Sequence, residues 1–121
     1  MSSQPGKAKQ SLHERRRRRH PRYRTNFPVA VKLLAGENYQ RLEGHCKDLS
    51  RAGIGILIAA ELSHGEVVSL NFSLPGSAQS QELRAVLRHR RGYHYGFEFL
   101  SLSRDQEENL VQFVSGLERA D

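Results

Sequence analysis

Six short segments of this 121-residue chain alternate apolar and polar side chains with a period of two, and that pattern restricts the fold more than any other feature. Val29, Val31 and Leu33 share a parity in "FPVAVKLL". In "RLEGHCK", Leu42 and Cys46 face one way, and Arg41, Glu43, His45 and Lys47 the other. Ile54, Ile56 and Ile58 follow in "GIGILIA", then Val68, Leu70, Phe72 and Leu74 in "VVSLNFSL". Leu83, Ala85 and Leu87 alternate with Arg84, Arg88 and Arg90 on the opposite face. Tyr93, Tyr95, Phe97 and Phe99 form a sixth apolar row. Alternation of this kind marks strands with one buried face. Turn-forming stretches separate them: "AGEN" at 35–38, "SHGE" at 63–66, "PGSAQS" at 75–80 and "RRG" at 90–92.

The period then changes. In "SRDQEENLVQFVSGLERA", Ser103 and Gln106 stand at capping-box spacing, and Asp105, Glu107 and Glu108 complement the helix dipole. Leu110, Phe113, Val114 and Leu117 line one helical face. The expected fold is mainly β: a six-stranded, closed or nearly closed antiparallel barrel, which removes sheet edges. A C-terminal helix over 103–118 covers one opening or flank.

Charge divides the chain into two parts. Residues 1–24 carry nine basic side chains against Glu14 alone, a net of +8, whereas residues 25–121 carry ten basic and twelve acidic ones. A near-neutral body with a basic arm points to a polyanionic or phosphate-bearing partner. Residues 1–14 are polar and aperiodic and read as a disordered tail. Residues 15–24 form the arm, and 25–100 the barrel. The single cysteine, Cys46, allows no intramolecular disulfide, and no apolar run approaches the ~20 residues of a membrane span. A soluble cytoplasmic protein is therefore expected.

Catalytic patterns fall short. The six histidines show no metal-ligand spacing with one another or with Cys46, so no metal or cofactor is expected and the reading is non-enzymatic. Two stretches remain. One is the arginine run "ERRRRRHPRYR" at 14–24; the other is "DLSRAG" at 48–53. If the chain stays extended, Asp48 and Ser50 lie on one face, with Gly53 offering a close backbone approach. The plainer reading of the same residues is a strand connection.

Taken together, the two stretches resemble the PilZ domain, a bacterial receptor for cyclic di-GMP. Arg18 and Arg22 form R-x-x-x-R in "RRHPR", and "DLSRAG" follows as D-x-S-x-x-G. The text "YGFEFLSLSRDQEENLVQFV" is similar to the family's last strand and helix, so the resemblance covers residues 15–118. It implies that Arg18 and Arg22 grip guanine and phosphate, a task for which a guanidinium fork is well shaped. It carries Asp48, Ser50 and Gly53 over as the opposite wall of the site. It assigns Arg17, just before the first motif arginine, to binding an intercalated ligand dimer, hence two molecules per domain. Arg19 is an additional contact. Family sites often add a base-stacking side chain on the fifth strand, here Arg88 or His89; parity prefers Arg88, since His89 falls in register with Leu87. Ligand binding would order the arm for reading by a partner protein.

Two other readings stand beside it. A small barrel with a basic arm could bind nucleic acid, with affinity falling steeply in salt. However, Tyr93, Tyr95, Phe97 and Phe99 share one parity, which places them in the core rather than on a stacking platform. The third is a PilZ-like domain that has lost its ligand and acts through protein contacts alone.

Overall fold

Glycines carry the chain through three reversals with positive φ: Gly65 (83°), Gly76 (87°) and Gly92 (61°). L-residues with a Cβ rarely adopt this conformation, which is why the turn signals fall where they do. The computed structural model describes residues 20–35 and 37–119. Between the turns run β1 (Tyr23–Ala35), β2 (Asn38–Leu49), β3 (Gly53–Ile58), β4 (Val67–Ser73), β5 (Ser80–Arg91) and β6 (His94–Leu100). They pair antiparallel throughout and close into a barrel in the order β1-β2-β3-β6-β5-β4.

The expected apolar rows fill the interior. Val31, Cys46, Ile54, Ile56, Leu70, Ala85 and Tyr95 are fully enclosed. Tyr93 departs from expectation: it belongs to the β5–β6 turn rather than the strand and is 53% exposed. The other three aromatics of its row, Tyr95, Phe97 and Phe99, are buried.

One end of the barrel is closed by α1 (Arg104–Val114). Ser103 caps it: its side chain accepts from the Gln106 N–H at 3.1 Å, and the Ser103 N–H donates to Gln106 Oε1 at 3.0 Å. Leu110 and Val114 are buried, and Phe113 meets Phe27 edge-on with centroids 6.4 Å apart. The helix is shorter than its apolar periodicity predicts. It stops at Val114, and the chain turns through Ser115–Gly116, so Leu117 reaches the core from outside the helix. The residues that follow serve another purpose. Arg24 N–H donates to the Glu118 carbonyl at 2.8 Å, and Tyr23 bridges Arg119, which fixes the start of β1.

The opposite rim is tied by side chains. Tyr95 Oη donates to the Ala60 carbonyl at 2.6 Å and accepts from the Leu62 N–H at 3.2 Å. Arg90 holds Glu61 with two bonds, of 2.6 and 2.9 Å, and lies 5.1 Å over the Tyr95 ring. Those bonds keep the Glu61 carboxyl below its usual range. Strict alternation would put Arg90 on the polar face with Arg84 and Arg88. Instead it pairs in register with inward-pointing Tyr95, because the alternation breaks just before it.

Candidate ligand-binding site

Three register shifts disturb the barrel, and those of β2 and β5 build one patch on its outer surface. In β1 the shift lies between Arg24 and Phe27. In β2 it lies between Cys46 and Asp48, against Ile56 and Gly55 of β3, so Lys47 is the extra residue. In β5 it lies between Leu87 and His89, against Phe97 and Gly96 of β6, so Arg88 is extra. An extra residue reverses parity beyond it. Asp48 would otherwise point inward with Cys46, and His89 inward with Leu87. Both now lie outside. Cys46 supports the β2 bulge from below, its thiol donating to the Asp48 carbonyl at 3.3 Å.

The two side chains land on glycines. A Cβ on Gly55 would collide with the Asp48 carboxylate, and one on Gly96 with the His89 ring. Gly55 and Gly96 are themselves partners across β3 and β6. A bare two-strand saddle thus seats a carboxylate on one side and an imidazole on the other.

Arg22, just before β1, spans the saddle. Its Nη1 donates to Asp48 Oδ1 at 2.9 Å, and its Nη2 contacts His89 Nε2 at 3.4 Å. The Arg22 and Asp48 side chains are only 18% and 16% exposed. His94, from the start of β6, completes the group with Nε2 3.2 Å from Asp48 Oδ2. The cluster therefore presents a forked cation, a carboxylate acceptor and two imidazoles over a glycine floor.

The remaining expected site residues are distributed as follows. Ser50 and Gly53 form the β2–β3 turn: Ser50 Oγ accepts from the Ala52 and Gly53 N–H groups at 3.1 and 3.0 Å. Ser50 is buried and does not share the outer face of Asp48, because β2 ends at Leu49. Gly53 has its own reason to lack a side chain, since a Cβ there would meet the Phe97 carbonyl oxygen at 2.5 Å. Arg88 donates to Glu98 Oε1 at 2.7 Å, and the fifth-strand side chain that reaches Arg22 is His89. Parity points to Arg88 only along an unbroken strand, and the register shift breaks it there. Arg17, Arg18 and Arg19 lie outside the described residues, as do the rest of 15–19 and the tail 1–14. His94 and the two saddle glycines had no place in the sequence reading. The available signal was glycine inside a strand, which marks a bulge or a close approach.

The profile of the PilZ domain family matches residues 16–116. The chain belongs to the PilZ domain family. It is 30% identical over 101 residues to an uncharacterized protein of Aquifex aeolicus (strain VF5), a match covering 81% of this PilZ chain and 48% of that protein. The chain thus spans about half the length of that curated relative. Its barrel is similar to the PilZ domain with c-di-GMP of YcgR from Escherichia coli, with a TM-score of 0.64 at 24% identity over 84% of this chain and 91% of that one. It is also similar to YcgR in complex with c-di-GMP from Escherichia coli, with a TM-score of 0.62 at 25% identity over 82% and 45%. Among the described residues, no helix of this PilZ domain is long and apolar enough to cross a membrane.

Proposed function

We propose that this chain is a cyclic di-GMP receptor whose site is the outer saddle of β2, β3, β6 and β5. The observation that carries the reading is the pairing of Arg22 with Asp48, 26 residues apart in sequence and 2.9 Å apart in space, above two facing glycines. Arg22 turns its fork to guanine or phosphate, and Asp48 accepts from the guanine N1–H and N2–H₂ donors. Ser50 and Gly53 contribute by holding the turn that presents Asp48. Family membership supports the choice of ligand, as do the two similar YcgR structures solved with c-di-GMP.

Arg18 completes the grip from the arm, Arg19 adds a phosphate contact, and Arg17 sets a stoichiometry of two. Residues 15–118 then act as one receptor domain without catalysis. Phosphates neutralise the arm's like charges, the arm settles on the barrel, and a partner protein reads the changed surface.

Calorimetric titration of the full chain with cyclic di-GMP tests this. Saturation near two ligands per chain is expected, with Arg22→Ala and Asp48→Ala each weakening binding by tenfold or more, roughly the loss of one charged hydrogen bond. No binding at tens of micromolar overturns the reading, whereas a stoichiometry of one overturns only the role given to Arg17.

A further inference from the structure

The outer face of β1, β4 and β5 carries charge that the protein itself leaves uncompensated. Cross-strand register sets Arg41, Lys32, Ser69 and Arg84 in one row over β2, β1, β4 and β5. Glu43 holds Arg41 at 3.1 Å, but among the described residues neither Lys32 nor Arg84 has an ion-pair partner. Each stands one strand away from Ser69, so their Cα atoms are about 10 Å apart with the serine between them.

Two residues along the strands, on the same face, this row gives way to apolar surface. Tyr39 precedes Arg41 and Val67 precedes Ser69, and they are 72% and 47% exposed. The ring, the valine and both cations line one cleft of about 370 Å³. Apolar side chains gathered in water and rimmed by polar groups mark an interaction surface. The row on the other side of the cations holds Glu43 and Glu82, and Glu82 Oε2 accepts from Ser69 Oγ at 3.0 Å.

These constraints define the occupant. A carboxylate placed over Ser69 reaches both cations. The apolar shelf lies about 7 Å along the strands, the separation of residues i and i+2 in an extended chain. A nucleic-acid strand would carry its phosphates past the Glu43 and Glu82 carboxylates, whereas a single acidic side chain avoids them.

We propose that this cleft docks an extended segment of a partner protein, in which an acidic residue stands two positions from a bulky apolar one. In the barrel order β1-β2-β3-β6-β5-β4, β4 lies across from β3 and β1 across from β6. The cleft is therefore on the far side of the barrel from the Gly55–Gly96 saddle. A partner held there leaves the saddle open, and docking is independent of the ligand that the saddle takes.

Titration of the full chain with the peptide acetyl-Glu-Ser-Phe-Ser-Glu-amide, followed by ¹H–¹⁵N spectra, tests the cleft. In either chain direction this peptide presents a carboxylate and the ring on one face. Saturable shifts are expected at the amides of Lys32, Val67, Ser69 and Arg84, with a Kd of ~1 mM or tighter. The isomer acetyl-Ser-Glu-Phe-Glu-Ser-amide, whose acids and ring lie on opposite faces, should bind about fivefold more weakly or worse. The parent peptide should lose as much on Lys32→Gln/Arg84→Gln and on Tyr39→Ser, with unchanged spectra elsewhere in the barrel showing that both variants are folded. Equal binding by the isomer or by either variant overturns the proposal, as does the absence of saturable shifts at ~5 mM peptide. A short oligothymidylate that shifts the same amides at lower concentration than the peptide also overturns it, and makes the face a nucleic-acid surface.

Discussion

Gly55 and Gly96 face each other across β3 and β6, and each lies beneath a side chain from the next strand out, Asp48 over one and His89 over the other. This relationship joins fold to site. Barrel closure brings β3 and β6 together although β4 and β5 intervene in sequence, and the bulges of β2 and β5 turn polar groups over the bare strip between them.

The glycines of this region should separate by what a methyl group would meet. At Gly55 and Gly96 it meets the ends of side chains that can move away; at Gly53 it meets the backbone oxygen of Phe97. Gly55→Ala and Gly96→Ala should therefore leave stability within about 1 kcal/mol of wild type, since alanine also lowers unfolded-chain entropy. Both should weaken cyclic di-GMP binding by displacing Asp48 or His89. Gly53→Ala should cost ~1–3 kcal/mol, as overpacking against backbone does. Urea denaturation beside ligand titration distinguishes the two classes; a stable Gly53→Ala protein would contradict the contact.

The strand rows, the turns, the capped helix and the barrel class were legible in the sequence, because burial imposes a period and turns demand particular residues. Arg22 and Asp48 were legible only through the family motif. Nothing in the alternation marks Lys47 or Arg88 as extra residues, since a bulge is defined by the partner strand rather than by its own. That is why parity ranks Arg88 above His89 and gives His94 no role. Helix length misled for a related reason. Leu117 keeps the apolar period, but the chain leaves the helix after Val114 so that Glu118 and Arg119 can pair with the start of β1.

Tyr95→Phe isolates the hydroxyl at the rim. The ring stays buried, but the Ala60 carbonyl and the Leu62 N–H each lose their bond to it. The expected cost is about 1–3 kcal/mol by denaturation. Amide exchange should accelerate in residues 59–66 while the β2–β3 strands stay protected. Uniform acceleration would show that the hydroxyl does more than anchor this loop.

The capping box offers a local test at the other end of the barrel. Ser103→Ala removes the acceptor for the Gln106 N–H and should cost about 1 kcal/mol. Gln106→Ala should cost at least as much, because its Nε2 also donates to the Glu82 carbonyl at 3.2 Å and ties the helix to β5. Thermal melts of the two variants and their double mutant should show less than additive loss.

Cys46 gives the chain an alkaline signature. Burial, reinforced by the Asp48 carboxylate, pushes its thiol well above the ordinary value of 9.0. A group whose pKa is raised by folding stabilises fully below its unfolded pKa and loses that contribution as pH rises toward the folded value. Stability should thus be flat through neutrality and decline once pH passes the ordinary thiol value of 9.0, by at most about 1.4 kcal/mol per pH unit for one proton. Cys46→Ser keeps a donor for the Asp48 carbonyl and removes the titrating thiol. Urea midpoints measured across the alkaline range should fall less steeply for the variant, the remaining slope belonging to tyrosines and lysines. Iodoacetamide should likewise modify Cys46 only in denaturant. Equal slopes for the two proteins, or ready alkylation of the folded one, would show that the thiol is not enclosed beneath the β2 bulge.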